Sequence, residues 1–312
     1  LSNKAPSYPY IRLDYKPLNW LSFNYSHAWL NSNITDSSLS YLTNSGRIDN
    51  DFRLVFVQKY LATHSIEVEA MKGLNIAIGE SIVYSDKMDP GFLIPINLFK
   101  FYDNNRSNYL IEAGSNGQYF LSLSSRNQIK NTHLYSTLFI DEIKVSSMFN
   151  KTESRNQLGY NLGGSITDIF IPYLSLGVEY TRVNPFVYSN LIPAQNYTSY
   201  NYSLGDWMGN NFDRAILFAK YTPIAKLKLV ARYQKIRKGG AGTIYQQYAV
   251  QPQPSFLSDY IKNRSDIFLQ ARYEYINNIY LTSSLTLMQT KLANGTLIKD
   301  NTYQLGISVG LP

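Results

Sequence analysis

Apolar and polar residues alternate one by one along much of this chain, most clearly in the run LSLGVEYT from Leu174 to Thr181. A period of two places successive side chains on opposite faces of an extended strand. The run continues to Asn184-Pro185, where proline cannot donate to a strand ladder. It therefore predicts a β-strand with one apolar and one polar face, ending before Pro185.

Runs of this kind recur almost from end to end, and we count about 13 strand candidates by this criterion. They include residues 11–15, 21–26, 53–71, 73–84, 118–126, 132–145, 157–169, 174–183, 227–234, 267–276, 279–287 and 303–311. Residues 86–116, which hold Pro90-Gly91 and Pro95, are predicted to be a long loop with short extended pieces. No segment has a helical period over a useful length.

The predicted connections alternate in length along the chain. Those at 169–173, 221–224 and 276–279 are short turns, whereas 184–211 and 239–264 are long. Short turns at one end and long loops at the other are typical of outer-membrane β-barrels. The fold class is therefore all-β, a transmembrane antiparallel up-and-down barrel in one domain, residues 1–312, with about 12–14 visible strands.

In such a barrel the polar face is turned inward, because Arg or Lys facing lipid at mid-depth costs about 2–4 kcal/mol. Parity assigns ten residues to this face: Arg12, Asp14, Lys16, Glu179, Arg214, Lys228, Arg232, Gln234, Arg272 and Glu274. Charges of both signs inside a barrel either pair with each other or contact a ligand or a pore path, and alternation leaves both open. Arg182 falls on the opposite parity and is predicted to lie near the end of its strand.

The composition agrees with a membrane barrel. Charged residues make up only 16% of the 312 residues, and 27 tyrosines supply much of the polarity. Tyrosine favours places with one apolar and one wet side, including membrane interfaces. No run approaches the 18 apolar residues of a membrane helix, so only a closed barrel could span the bilayer. We expect any signal peptide to be already removed or to lie outside this sequence.

The sequence carries no recognisable catalytic or metal-binding motif. There is no cysteine, and His27, His64 and His133 stand on separate predicted strands without metal-ligand spacing. Asp141 and Glu142 are neighbours, so simple alternation places them on opposite faces of a strand. We therefore expect no enzyme activity, no metal and no cofactor.

The long loops are rich in aromatic and amide side chains, which suit sugar rings and sugar hydroxyls. The candidate ligand-binding residues are Tyr188, Tyr197, Tyr200, Tyr202, Trp207, Asn210, Asn211, Tyr245 and Tyr248. The alternative is that these tyrosines form an aromatic girdle or pack the loops on each other. The net charge of +7 suits anionic sugars or lipid headgroups, but it could equally be an incidental surface excess.

Several short motifs occur in a fixed order: KYLATH at 59–64, GESIVY at 79–84, FIDE at 139–142, QLGY at 157–160 and EYTRVNP at 179–185. Together with Tyr188, Tyr197-Thr198, Leu204-Gly205 and Gly209-Asn210, they resemble the capsule-assembly Wzi family in the form found in Bacteroidetes. The likeness covers roughly residues 59–240. The chain departs from the family in two ways: no periplasmic helical bundle is predicted, and the strand count falls short of the family's 18. Either further strands precede Leu1, which would allow up to 18, or the chain is a leaner variant of the family.

The resemblance implies a plugged barrel in the outer membrane of a Gram-negative bacterium, acting as a lectin that holds capsular polysaccharide at the cell surface. It implies surface polysaccharide and outer-membrane lipid or lipopolysaccharide as partners, and no nucleic acid. Two alternatives remain open: a porin or transport channel, which also needs a polar interior, and a structural component of a surface motility or secretion apparatus.

Overall fold

The structure, a computed structural model, describes residues 4–43, 51–109, 114–143, 156–246 and 252–310. Its strands are β1 (Tyr10–Leu18), β2 (Leu21–Leu30), β3 (Tyr41–Thr43), β4 (Asp51–Arg53), β5 (Lys59–Met71), β6 (Leu74–Ser85), β7 (Asn116–Arg126), β8 (Thr132–Ile143), β9 (Asn156–Thr167), β10 (Leu174–Val183), β11 (Thr198–Ser199), β12 (Tyr202–Ser203), β13 (Phe212–Ile224), β14 (Leu227–Gly239), β15 (Tyr260–Ile276), β16 (Ile279–Leu292) and β17 (Leu297–Val309). The helices are α1 (Phe99–Tyr109) and two 3₁₀ turns, Pro90–Leu93 and Pro193–Gln195. No helix in these ranges combines the length and the apolar character needed to cross a bilayer.

Thirteen of the strands form one antiparallel sheet in the order β1-β2-β5-β6-β7-β8-β9-β10-β13-β14-β15-β16-β17. Each strand pairs with its neighbour along the chain once the short hairpins β3-β4 and β11-β12 are set aside, which is the up-and-down order of a membrane barrel. The predicted fold class and strand number are confirmed.

The two ends of the sheet differ as predicted. Turns of two residues, at 19–20, 72–73, 225–226 and 277–278, lie at what we call the short-turn end. The long connections 31–58, 86–115, 184–211 and 240–259 lie at the opposite, long-loop end, which also carries the four-residue turn 293–296.

In the described part of the chain, no ladder joins β1 to β17, and both strands are exposed along their whole length. Both run from the long-loop end to the short-turn end, so they cannot pair antiparallel with each other. An open edge in hydrocarbon leaves backbone groups unpaired, so both edges must be covered when the sheet spans a membrane.

The ladder register places the predicted inward residues on one face. Lys228 stands opposite Arg272, and Gln234 stands opposite Asp266. On β10, Thr181 stands opposite Arg214 of β13, and Glu179 lies two residues further on the same face. The opposite face carries the exposed apolar residues expected of a lipid-facing belt, such as Val178 at 56% exposure.

At the long-loop end, residues 184–211, which we call the inner segment, pack against the inward face of the sheet. Val187 and Tyr188 lie in a buried apolar cluster with Ala28, Leu61 and Val83. Those three residues stand side by side on neighbouring strands of the inward face. The inner segment therefore lies against the inside of the sheet.

The outward face of β2, β5 and β6 is covered by a second excursion, residues 86–109, which we call the outer segment. Phe92 and Phe99 are completely buried against Tyr25, Ala62 and Ile82. His27 and His64 lie on this covered face, where the His27 ring contacts the Tyr84 hydroxyl at 2.7 Å. These two histidines are thus packed between the sheet and the outer segment.

The prediction that residues 86–116 form a loop without a helix was wrong. The sequence of α1, FKFYDNNRSNY, lacks a regular apolar face, and its stability comes from tertiary partners instead. Glu80 of β6 accepts hydrogen bonds from the Phe99 and Lys100 amides at 2.5 and 3.4 Å, which satisfies two donors at the helix start. Asp89 accepts hydrogen bonds from the Tyr102 hydroxyl at 2.8 Å and Arg106 at 2.6 Å.

Replacing Glu80 by alanine is therefore expected to loosen α1. The loss of an N-terminal cap costs about 1 kcal/mol, so we expect the amides of residues 99–109 to exchange several-fold faster in hydrogen–deuterium exchange. Glu67→Ala, on the inward face of the adjacent strand β5, is the matched control. Equal exchange of α1 in the two variants would contradict this role for Glu80.

Candidate functional site

The inner segment is fixed to strands on several sides of the interior. The buried Lys59 Nζ of β5 donates to the Asn196 carbonyl at 2.6 Å and to Thr198 Oγ1 at 3.2 Å. On β7, Asn116 Nδ2 donates to the Gln195 carbonyl at 2.9 Å. Because these strands and β10 hold the same segment, the sheet curves around it.

Two tyrosines anchor the middle of the inner segment. The rings of Tyr188 and Tyr197 stack with centroids 5.8 Å apart, and Phe139 of β8 contacts both. Burial raises the pKa of both hydroxyls, that of Tyr197 to about 12, so both stay neutral at physiological pH. The Gly205 backbone lies against the Tyr188 ring, where an added Cβ would come within 2.3 Å of a ring atom.

Residues 240–246 close over the inner segment from the other side. Gly242 accepts hydrogen bonds at its carbonyl from the Phe186 amide, at 2.8 Å, and from Asn210 Nδ2. Its φ of +74° and the Pro185 Cβ only 2.6 Å from an added Cβ both require glycine here. The Gly-rich stretch 239–242 therefore serves close backbone packing.

A charged cluster lies below the inner segment on the inward face. The Arg214 guanidinium is 3.0 Å from Asp206 of the inner segment and 3.8 Å from Glu179. Glu179 also accepts a hydrogen bond from the Tyr135 hydroxyl at 2.7 Å. Alternation along β10 and β13 indicates Glu179 and Arg214, whereas nothing in the loop sequence indicates that Asp206 reaches them.

The other predicted inward charges are distributed over the sheet instead of joining this cluster. Arg12 pairs with Asp14 on the exposed edge strand β1 at 2.8 Å. Arg232 lies over the Phe268 ring and Arg272 lies over the Tyr280 ring. Glu274 accepts a hydrogen bond from the backbone amide of Asn278 in the following turn. On the opposite face Arg182, at the end of β10 as predicted, lies 3.7 Å from the Phe256 ring centroid.

The long-loop end holds a cavity of about 250 Å³ that we call the Trp207 pocket. Its lining residues are Lys4, Tyr188, Thr198, Asn201, Tyr202, Ser203, Trp207, Met208, Gly209, Asn210, Lys238, Thr243 and Ile244. Lys4 Nζ lies 4.0 Å from the centre of the Trp207 ring, and Trp207 remains 38% exposed. Four of the nine predicted ligand-binding residues, Tyr188, Tyr202, Trp207 and Asn210, are thus brought together.

The remaining predicted ligand-binding residues have other positions. Tyr197 lies in the buried cluster. The fully buried Asn211 donates a hydrogen bond to the Ala241 carbonyl and accepts one from the Leu257 amide. Tyr200 and Tyr245 are exposed, at 49% and 76%, outside the pocket. Tyr248 lies outside the described residues.

Two lysines of the Trp207 pocket were missed from the sequence. Lys238 Nζ, at the end of β14, donates to the Met208 carbonyl at 3.1 Å and to the Asn210 carbonyl. Lys262 stands opposite Lys238 on β15, so two cations share this part of the rim. Lys4 comes from the segment before β1, whose position over the pocket has no sequence signal. Among the described residues, no three His, Asp or Glu side chains are grouped so that they could hold a metal ion.

Asp141 and Glu142 do not follow the simple alternation predicted for them. Ile140 stands opposite Leu158 and Glu142 opposite Gln157, so Asp141 is an extra residue in β8. Such a bulge re-aims side chains. Asp141 accepts hydrogen bonds from the Tyr188 amide at 2.7 Å and from Gln118 at 3.2 Å, and both carboxylates line one cavity.

No family model and no curated protein matches the sequence. Among solved structures, the chain is similar to Wzi of Escherichia coli, described as an outer-membrane protein involved in group 1 capsule assembly and a carbohydrate-binding β-barrel. The identity is 11% and the TM-score 0.56, with 93% of this chain and 56% of Wzi covered. The chain thus spans little more than half the length of Wzi.

Two further structures match more weakly. OccD3 of Pseudomonas aeruginosa has 12% identity and a TM-score of 0.45, with 96% of this chain and 68% of that chain covered. The outer-membrane channel DcaP of Acinetobacter baumannii has 9% identity and a TM-score of 0.45, with coverages of 96% and 84%. At these identities the likeness shows the fold, that of an outer-membrane β-barrel.

Proposed function

We propose that this chain is a non-enzymatic outer-membrane β-barrel that binds surface polysaccharide of the capsular type at its long-loop end. The observation that carries the proposal is the Trp207 pocket. It combines a partly exposed indole, hydroxyl and amide side chains, and cations in one concave site. Small-molecule sites are concave and hold a few convergent polar groups among apolar ones.

The charge of the site favours acidic sugars. Lys4 and Lys238 line the pocket, and Lys262 lies beside Lys238 on the next strand. The Lys238 contacts described above are to carbonyl oxygens, and although burial and the neighbouring Lys262 lower the pKa of its ammonium group to about 8, this group is still mostly protonated at pH 7. A carboxylate-bearing sugar could contact these ammonium groups while its ring lies against Trp207.

The inner segment favours attachment over transport. A conducting barrel needs a continuous aqueous path, whereas Lys59, Asn116 and Asp141 bond the inner segment to β5, β7 and β8 on the inside of the sheet. Its buried tyrosines, Tyr188 and Tyr197, belong to an apolar cluster with residues of the sheet. The fold likeness to Wzi, a barrel described as carbohydrate-binding, agrees with attachment.

The proposal is tested by polysaccharide binding to the purified protein in detergent. The ligands are surface polysaccharide from the bacterium that makes the protein, polygalacturonate as an acidic polymer and dextran as a neutral one. We expect the surface polysaccharide to bind, polygalacturonate to bind at least tenfold more tightly than dextran, and this difference to fall as salt screens the lysines. If the protein bound none of the three polymers, the proposal would be contradicted.

A further inference from the structure

A second cavity lies on the other side of the inner segment, where it meets β7, β8 and β9. It has a volume of about 500 Å³, within the usual range of small-molecule sites. Its lining includes the carboxylates of Asp141 and Glu142, the ammonium of Lys100 and uncharged polar side chains such as Gln157 and Ser189, and we call it the Gln157 pocket.

Two polar groups in the wall of this pocket have no partner within the protein. Gln157 is 2% exposed and Ser189 is 4% exposed, yet Gln157 Nε2 and Ser189 Oγ make no hydrogen bond. Buried polar atoms in native proteins nearly always have a partner, and exceptions call for an explanation such as a bound molecule. The two residues come from different parts of the chain, β9 and the inner segment, and both residues line the same cavity.

The chemistry of the wall restricts the ligand. The Gln157 amide can donate, the Ser189 hydroxyl can donate or accept, and the carboxylates of Asp141 and Glu142 can accept. Ile140, Leu191 and Ile192 add apolar surface beside these groups. A ring that carries hydroxyls and an apolar C–H face matches this mixture. The wall carries two carboxylates against the single ammonium of Lys100, and this excess of negative charge disfavours an acidic sugar.

We infer that the Gln157 pocket is a binding site for an uncharged, hydroxyl-bearing sugar unit. It is separate from the Trp207 pocket: Tyr188 lines one and the next residue, Ser189, lines the other. The inference rests on the proposed function in taking the ligand to be a glycan. It adds that a chain of alternating acidic and neutral sugars would be held on both sides of the inner segment.

The test uses the methyl glycosides of glucose, galactose and mannose as probes of the purified protein, with binding measured by saturation-transfer NMR and calorimetry. We expect at least one glycoside to bind, and Gln157→Leu and Ser189→Ala each to weaken its binding at least tenfold. Because neither group has a protein partner, both variants should keep the wild-type unfolding temperature. Tyr245→Ala is the control, because Tyr245 is exposed and lines neither pocket, and it should bind the glycoside as the wild type does.

Two results would overturn the inference: no glycoside binds the wild type at millimolar concentration, or binding is unchanged in both Gln157 pocket variants. Its failure is distinguishable from that of the proposed function. If the wild type binds polysaccharide, Trp207→Ala loses that binding and no glycoside binds, only the inference is contradicted. If a glycoside binds and its binding depends on Gln157, but no polysaccharide binds, only the proposed function is contradicted.

Discussion

Replacing Arg214 by methionine is expected to lower the free energy of unfolding by about 3 kcal/mol, because removal of one member of a buried ion pair leaves the other charge uncompensated. The Arg214 side chain is only 11% exposed, and its partners Glu179 and Asp206 are 25% and 15% exposed. Asp206 also joins the inner segment to β13 through this guanidinium. The substitution should therefore weaken the hold of the inner segment as well as the barrel itself.

Urea unfolding of the protein in lipid vesicles, followed by tryptophan fluorescence, measures this loss. The matched control is Arg232→Met on the neighbouring strand, since Arg232 is exposed and lies over Phe268 without a carboxylate partner in the contacts described above. Its loss should be below about 1 kcal/mol. Equal losses in the two variants would show that the Asp206–Arg214–Glu179 cluster contributes nothing beyond an ordinary surface charge.

Replacing Trp207 by alanine is expected to weaken binding of acidic polysaccharide by at least tenfold. Truncating a central aromatic residue of a binding site typically costs 2 kcal/mol or more, and about 1.4 kcal/mol corresponds to tenfold. The substitution removes the indole face and also the ring that positions Lys4 at 4.0 Å. The free energy of unfolding should change little, because Trp207 lies at the surface of the long-loop end with 38% of its surface exposed.

Calorimetric titration with polygalacturonate measures this effect. Tyr245→Ala removes an aromatic residue at the same end of the barrel, but Tyr245 is 76% exposed and lies outside the Trp207 pocket. It should bind as the wild type does. If the two variants lost affinity equally, loop aromatics in general, and not the Trp207 pocket, would account for binding.

The strands and their faces could be predicted because membrane strands obey a strict local rule. A residue period of two decides which side chains face lipid. On β10 and β13 this period correctly places Glu179 and Arg214 on the inward face. The alternating lengths of the connections then gave the up-and-down order. Where a bulge inserts Asp141, the same rule failed, because one extra residue shifts every later side chain to the other face.

The two excursions could not be predicted because tertiary contacts determine them. Helix α1 depends on Glu80, a residue about 20 positions earlier on a strand. The inner segment depends on Lys59 and Asn116, and its aromatic residues divide into buried anchors such as Tyr188 and pocket residues such as Trp207. Tyrosine-rich composition is common to both classes, so it does not separate packing from binding.

The central claim is that the inner segment blocks the interior of the barrel, so that the protein serves attachment and not transport. Single-channel recording of the purified, unmodified protein in planar lipid bilayers tests this claim most directly. An outer-membrane channel such as DcaP, recorded in the same bilayers, is the positive control. The contacts of Lys59, Asn116 and Asp141 with the inner segment predict insertion without steady open-channel currents. Steady currents of a fixed size would contradict an interior blocked by the inner segment and would favour a channel.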